Sequence, residues 1–260
     1  MHRRTAFSLV ELSIVLVIVG LLVGGIFVGR SLIRASELRA VTAEFDRYVT
    51  ATQTFRDKYF GLPGDITNAT GFWGDQATGT GACADAAVTD GTPGTCNGNG
   101  DRIIDDASGT TEGFRYWQQL AMAGLVEGAY SGIEDAGTIK YIGGTNAPLS
   151  KLNQGVWSVL YRPNHAGSGA GIFAADYQQL FIFGGAGSGT TAYPTGLILR
   201  PEDAWNIDNK LDDSKPGLGR ILSNWNSSCT TAASATDTAA AIYLLTDTGL
   251  NCYLRFAKAF

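Results

Sequence analysis

The most regular set of chemical groups is a run of oxygen-bearing residues near position 100. The candidate ligands are Asn97, Asn99, Asp101, the Ile103 carbonyl, Asp105 and Glu112. Calcium prefers oxygen ligands, and calcium loops supply them from alternating positions. Arg102 stands where such loops have a turn glycine, and Ser108 where they have a closing glutamate, which Glu112 would replace. The run predicts a calcium site, with a solvated Asn/Gly turn as the alternative.

A second acidic group lies further along the chain. It consists of Asp208, Asp212 and Asp213, with Lys210 and Lys215 between and after them. Because basic residues interrupt the acids, we interpret the group as a helix end and turn, with a metal site as the alternative.

Catalytic signatures are missing from the sequence. It contains no Gly-x-Ser-x-Gly elbow, no His-Glu-x-x-His pair and no phosphate-cradling glycine loop with a lysine. His165, the one histidine beyond the first few residues, lies in a Pro-Asn-His-Ala-Gly turn, where a surface role is expected. The sequence therefore favours a protein that is not an enzyme.

Composition and cysteine usage indicate a globular domain in an oxidising compartment. The chain has 260 residues, 45% of them hydrophobic, and a formal net charge of -5, so it lacks the basic surface that nucleic-acid binding requires. Four cysteines lie outside any Cys-x-x-Cys pair, which favours disulfides over zinc or reduced thiols. Of the three possible pairings, Cys83–Cys96 with Cys229–Cys252 is preferred because each bond closes a local loop.

The first thirty residues predict a membrane helix with one unusual acid. Positions 12–29 carry no charge, and about 20 apolar residues span a bilayer core. Basic residues precede this span at positions 2–4 and follow it at Arg30 and Arg34. Glu11 stands at its beginning, where a carboxylate costs about a few kcal/mol and indicates a functional group that needs a partner.

The segment Ala6-Phe7-Ser8-Leu9-Val10-Glu11-Leu12 resembles the processing motif of type IV prepilins and type II secretion pseudopilins. The resemblance implies cleavage between Ala6 and Phe7 by a prepilin peptidase, followed by N-methylation of Phe7. It also implies that Glu11, the fifth mature residue, meets the N-terminal amine of a neighbouring subunit. A buried pair of this kind sets axial register. A simple signal anchor with an incidental Glu11 is the alternative.

The rest of the chain predicts an α+β head on a long helical stem. Residues 1–6 are the predicted leader, 7–35 the membrane or filament-core half of the helix, 36–60 its amphipathic half and 61–260 the head. Apolar residues spaced by three and four from Leu38 to Tyr59 predict a stripe that packs on the head. Helices are predicted at 111–125 and 201–211. Strands of a mostly antiparallel sheet are predicted at 156–161, 179–183, 196–199, 242–246 and 253–256.

These inferences, taken with the resemblance, predict a structural subunit of a type IV pilus-like filament for adhesion, motility or DNA uptake. The alternatives are a pseudopilin of a type II secretion system and a monomeric, membrane-anchored periplasmic binding domain. The implied partners are the membrane, prepilin peptidase, an inner-membrane assembly platform, and copies or relatives in a filament; nucleic acid is not expected. The implied location is the bacterial inner membrane with the head in the periplasm, then an extracellular pilus or a periplasmic pseudopilus.

Overall fold

The fold is built on one long helix, which we call the stem. The computed structural model describes residues 9–76, 94–105, 112–134, 141–152, 154–167, 171–186, 193–225 and 228–260. The predicted cleavage site at Ala6 and Phe7 and the predicted disulfide partner Cys83 lie outside these residues. The stem is α1 (Leu9–Tyr59), and among the described helices it is the one whose length and composition would allow it to cross a membrane.

The second half of the stem is the central element of the head. The predicted stripe is confirmed, because Val41, Phe45, Tyr48 and Phe55 are buried on one face. The helix ends where Phe60 adopts a left-handed backbone conformation with φ 60° and the turn around Pro63 begins. A proline lacks the amide that would continue the helical hydrogen bonds.

Three further helices and four strands complete the head. The helices are α2 (Ala69–Trp73), α3 (Glu112–Met122) and α4 (Pro201–Leu211). The strands are β1 (Gly155–Arg162), β2 (Gln178–Gly185), β3 (Ile221–Ser223) and β4 (Leu254–Phe256). They form one antiparallel sheet in the order β1-β2-β4-β3, which confirms the predicted α+β class.

The sheet packs one face on the stem through aromatic side chains. Phe45 stacks on Phe256 of β4 with ring centroids 4.6 Å apart, and Tyr48 meets Trp157 of β1 edge to face at 5.6 Å. Such pairs contribute about 0.5–1.5 kcal/mol each beyond their buried area. A second apolar cluster, which includes Phe173 from the segment between β1 and β2, covers the opposite face of the sheet. The sheet is therefore buried on both faces.

Two predicted strands are wrong. Residues 196–199 make single bridges, Gly196 to Gly185 and Leu199 to Cys252, rather than a ladder. Residues 242–246 form turns, and within them Tyr243 alone makes a bridge, to Thr230. In both segments the pairing is confined to isolated bridges. The apolar runs were correctly located, but among the described residues no strand continues beside them.

Candidate functional site

The first half of the stem presents an apolar surface along its described length. Every residue from Leu9 to Val28 is exposed, and Glu11 is the one ionisable side chain among them. A helix satisfies its backbone polar groups internally, so such a surface suits lipid or other apolar helices. Glu11 lies in the first described turn of this surface.

The stem meets the head first at Arg34. Arg34 pairs with Asp203 through two guanidinium nitrogens, with Nε 3.2 Å from Oδ2, and with Glu37 at 3.1 Å. Asp203 also caps α4, because its Oδ2 accepts the Arg200 amide at 3.2 Å. Pro201 at the first position and acids in the first turn favour this helix start. The N-terminus of α4 is thus fixed to the stem just beyond the apolar span.

Glu44 joins the stem to the sheet from within the core. Its side chain is buried, with 6% exposed. Oε1 accepts the Lys151 amide at 3.0 Å, and Oε2 accepts the Trp157 indole N–H at 2.9 Å. Both bonds are charge-assisted, which makes them stronger than neutral hydrogen bonds. The spacing of the apolar stripe predicts that the charged residues between its members face water, and for Glu44 that expectation is wrong.

The predicted calcium loop is organised by Asp65, which the sequence analysis did not identify. Asp65 is buried, and its two carboxylate oxygens accept the amides of Gly100, Asp101 and Arg102 at 2.7, 3.1 and 2.9 Å. Gly98 allows this contact, since a Cβ there would collide with the Asp65 backbone. The local signal is only a Pro-Gly-Asp turn, and nothing in its spacing connects it with residues some 35 positions later.

Glu112 closes the same loop from the first turn of α3. Its carboxylate accepts the Asn99 amide at 3.3 Å and the Asp105 amide at 2.9 Å. Burial raises the pKa of Glu112 to about 7, against the lowering effect of these two amides, and the charges of Asp65 and Asp105 add to the increase. Burial likewise raises the pKa of Asp65. The loop therefore brings carboxylates together that are held by backbone amides.

The other predicted ligands point in several directions. The side-chain Oδ1 of Asn97 accepts the Thr70 amide at 2.9 Å, so this side chain faces α2. Asn99 and Asp101 bond to each other, with Asn99 Nδ2 2.9 Å from Asp101 Oδ2, and Asp101 Oδ1 accepts the Ile103 amide at 2.9 Å. The structure thus brings Asp65 and Glu112 together around the loop and engages Asn97 elsewhere.

The second acidic group forms a helix end and turn. The carboxylates of Asp208, Asp212 and Asp213 each have an oxygen within 4.8 Å of the others. Asp208 accepts the Tyr243 hydroxyl at 2.8 Å and the Ser214 amide at 3.1 Å. Burial raises the pKa of Asp208 to about 7. The carboxylates of Asp212 and Asp213 likewise accept backbone amides in the turn that leads into β3.

The structure describes one of the two predicted disulfides. Cys229 and Cys252 are bonded and close a loop that precedes β4. The other predicted pair, Cys83 with Cys96, has Cys83 outside the described residues and stays a prediction.

A long helix that is apolar and exposed in its first half and buried in an α+β head in its second half fits membrane anchoring through the first half. Residues 1–27 match the family model described as "Prokaryotic N-terminal methylation motif", the signature of type IV pilins and pseudopilins. No curated protein and no solved structure matches the chain. Residues 1–27 therefore carry the signature of type IV pilin and pseudopilin precursors, and proteins with this signature are structural subunits processed by prepilin peptidase.

Proposed function

We propose that this chain is a structural, non-enzymatic subunit of a type IV pilus-like filament that assembles through the first half of its stem. The observation that carries the proposal is the apolar surface from Leu9 to Val28, which contains the single acid Glu11 and which the methylation motif, matched at residues 1–27, overlaps. In the membrane this surface contacts lipid. In a filament the same surface contacts the stems of other subunits.

Glu11 supplies the register in this proposal. Cleavage after Ala6 frees the amine of Phe7, and that amine on one subunit pairs with the Glu11 carboxylate of a neighbour. In the apolar filament core the cost of an unpaired carboxylate is about a few kcal/mol. Axial positions that leave Glu11 unpaired are disfavoured by that amount, so the pair selects one stagger between adjacent stems.

Calcium is the second part of the proposal, with the loop 97–105 as its site. Asp65, Asp105 and Glu112 gather around this loop, and among the described residues no Lys or Arg forms an ion pair with them. A divalent cation would compensate these charges with the oxygen ligands it prefers. We expect it to fix the loop against α3 and thereby to stabilise the exposed end of the head.

Two measurements test the filament proposal. Mass spectrometry of the mature protein should find a chain that begins at N-methylated Phe7. The variant Glu11→Ala should be processed in the same way but should assemble poorly, because its apolar surface is intact and its register group is lost. Ser13→Ala is the matched control, since Ser13 is an exposed polar residue in the same part of the stem and bonds only to its own helix.

The outcome that contradicts the proposal is a Glu11→Ala protein that assembles like the wild type, or a mature chain that retains residues 1–6. A pseudopilin of a secretion system would share the processing and the Glu11 requirement. Immunolabelling of shed filaments outside the cell separates the two functions, because a pseudopilus stays in the periplasm.

A further inference from the structure

The loop closed by Cys229–Cys252 exposes three large aliphatic side chains. Ile242, Leu245 and Leu250 are 61%, 50% and 53% exposed. We call this set the apolar rim. Single exposed apolar residues are ordinary on protein surfaces, but a group of three in one covalently closed loop indicates a contact surface.

The loop holds the rim in a fixed orientation. The Leu244 amide donates to the Cys229 carbonyl, and the Thr231 amide to the Ile242 carbonyl, both at 2.9 Å. Tyr243 lies between two rim residues and is buried, with its hydroxyl on Asp208 of α4. Because the tyrosine is anchored inward, its neighbour Ile242 is held outward.

One line of contacts places the end of the loop near the base of the head. The Asn251 amide donates to the Leu199 carbonyl at 3.0 Å, directly after Leu250. Leu199 precedes the first turn of α4, whose Asp203 is paired with Arg34 of the stem. The rim is therefore connected by a short path to the point where the stem enters the head.

A second line of contacts leads to the same place. The Leu244 amide donates to the Cys229 carbonyl, Cys229 is bonded to Cys252, and Cys252 pairs with Leu199. Leu244 lies between Ile242 and Leu245, so this part of the rim is also connected to the start of α4.

The height of Arg34 above the apolar span is comparable with the thickness of the lipid headgroup layer. The uncharged span ends at Gly29, and Arg34 lies about 7 Å further at 1.5 Å per residue. The headgroup layer occupies about 5–7 Å on each side of the hydrocarbon core. Arg30, about 6 Å below Arg34 along the helix, and Arg200, directly before α4, are exposed cations that can meet lipid phosphates, while the exposed Glu202 lies beside Arg200.

We propose that the apolar rim inserts into the interfacial layer of the lipid bilayer in which the subunit is anchored. The head of the waiting subunit is then docked on the membrane by two attachments, the stem and the rim, and it leaves the lipid when the subunit enters a filament. This inference rests on the anchored state in the proposed function and not on filament formation. Apolar side chains at the headgroup boundary bind in proportion to the area that they bury.

Site-specific photo-crosslinking of the full chain tests the docking. Ile242, Leu250 and Phe60 are replaced, one at a time, by the photoreactive amino acid p-benzoylphenylalanine, and each protein is placed in nanodiscs of phosphatidylethanolamine and phosphatidylglycerol. Phe60 is the matched control, because it is an exposed apolar residue about 39 Å beyond Arg34 along the helix. We expect lipid adducts from positions 242 and 250 and no lipid adducts from position 60.

Three results would overturn the docking: no adduct from the rim, adducts only to a second copy of the chain, or equal lipid labelling from position 60. The Cys229–Cys252 bond, followed by non-reducing electrophoresis, reports whether each substituted head has folded. Alkaline extraction of membranes tests the anchor separately. If the chain is extracted, the anchored state has failed, and if it is retained without rim adducts, only the docking has failed.

Discussion

The buried carboxylate of Glu44 gives the sharpest test of how the stem is fixed in the head. It accepts one bond from the backbone before β1 and one from the Trp157 indole within β1. The change Glu44→Ala removes both bonds and leaves a buried indole N–H and a partly buried backbone amide without an acceptor. We expect a large loss of stability in the head, although the residue makes a small contribution to the apolar contacts.

The magnitude follows from the two bonds. A hydrogen bond to a charged group contributes about 1.5–3 kcal/mol, so Glu44→Ala should lower the free energy of unfolding by about 3–6 kcal/mol. The change Glu44→Gln preserves the shape and one acceptor oxygen but turns an amide N–H₂ toward the second donor. It should cost about 1.5–3 kcal/mol, the value of one such bond.

Urea unfolding of the full chain in detergent micelles, followed by tryptophan fluorescence, measures these losses. Glu37→Ala is the control on the same helix, because Glu37 forms a partly exposed ion pair with Arg34. Pairs of that kind contribute about 0–1 kcal/mol. If Glu44→Ala and Glu37→Ala shift the midpoint equally, the bonds to Glu44 do not fix the stem and the reasoning fails.

Three further predictions concern the head. Replacing Cys229 and Cys252 together by serine should lower the free energy of unfolding by about 3 kcal/mol in non-reducing urea titrations, as expected for a loop of this length; an unchanged midpoint would contradict this. Burial raises the pKa of Asp208 to about 7, so the protonated carboxyl stabilises the folded head at acid pH, and this contribution declines as the pH rises toward 7. The variant Asp208→Asn should therefore show a smaller decline than the wild type when urea unfolding midpoints are measured across pH. If the variant and the wild type show the same dependence of the midpoint on pH, the prediction for Asp208 is refuted. Millimolar calcium should raise the unfolding temperature of the wild type but not of Glu112→Gln, and calorimetry without heat at that concentration would end the calcium proposal.

The elements that sequence analysis predicted are those whose signals are local. The apolar span needs only a run of uncharged residues, and the buried stripe from Val41 to Phe55 needs only helical spacing. α4 was located to the residue because Pro201 and the acids of its first turn act on the helix start directly. In each case the physical cause lies within one or two helical turns of the residues concerned.

What the sequence did not reveal depends on contacts between distant segments. Asp65 binds a loop some 35 residues later, and Glu44 reaches donors more than 100 residues away. β3 is three residues long and is a strand only because β4 pairs with it. An acid between the apolar residues of a helix is expected to face solvent. Glu44 is buried instead, because the fold places two hydrogen-bond donors opposite it.

The continuity of α1 connects these features mechanically. The stem is one helix of about 75 Å, at 1.5 Å per residue, and its two halves contact different surroundings without an intervening loop. A force that draws the first half out of the membrane is therefore transmitted to the head through the side chains that bury the second half. Arg34 and Glu44 provide polar attachment at successive levels, and Phe45 and Tyr48 provide apolar attachment between the helix and the sheet. Because the Glu44 bonds lie inside the core and the Arg34 pair lies at its edge, weakening Glu44 should release the head under load more readily than weakening Arg34.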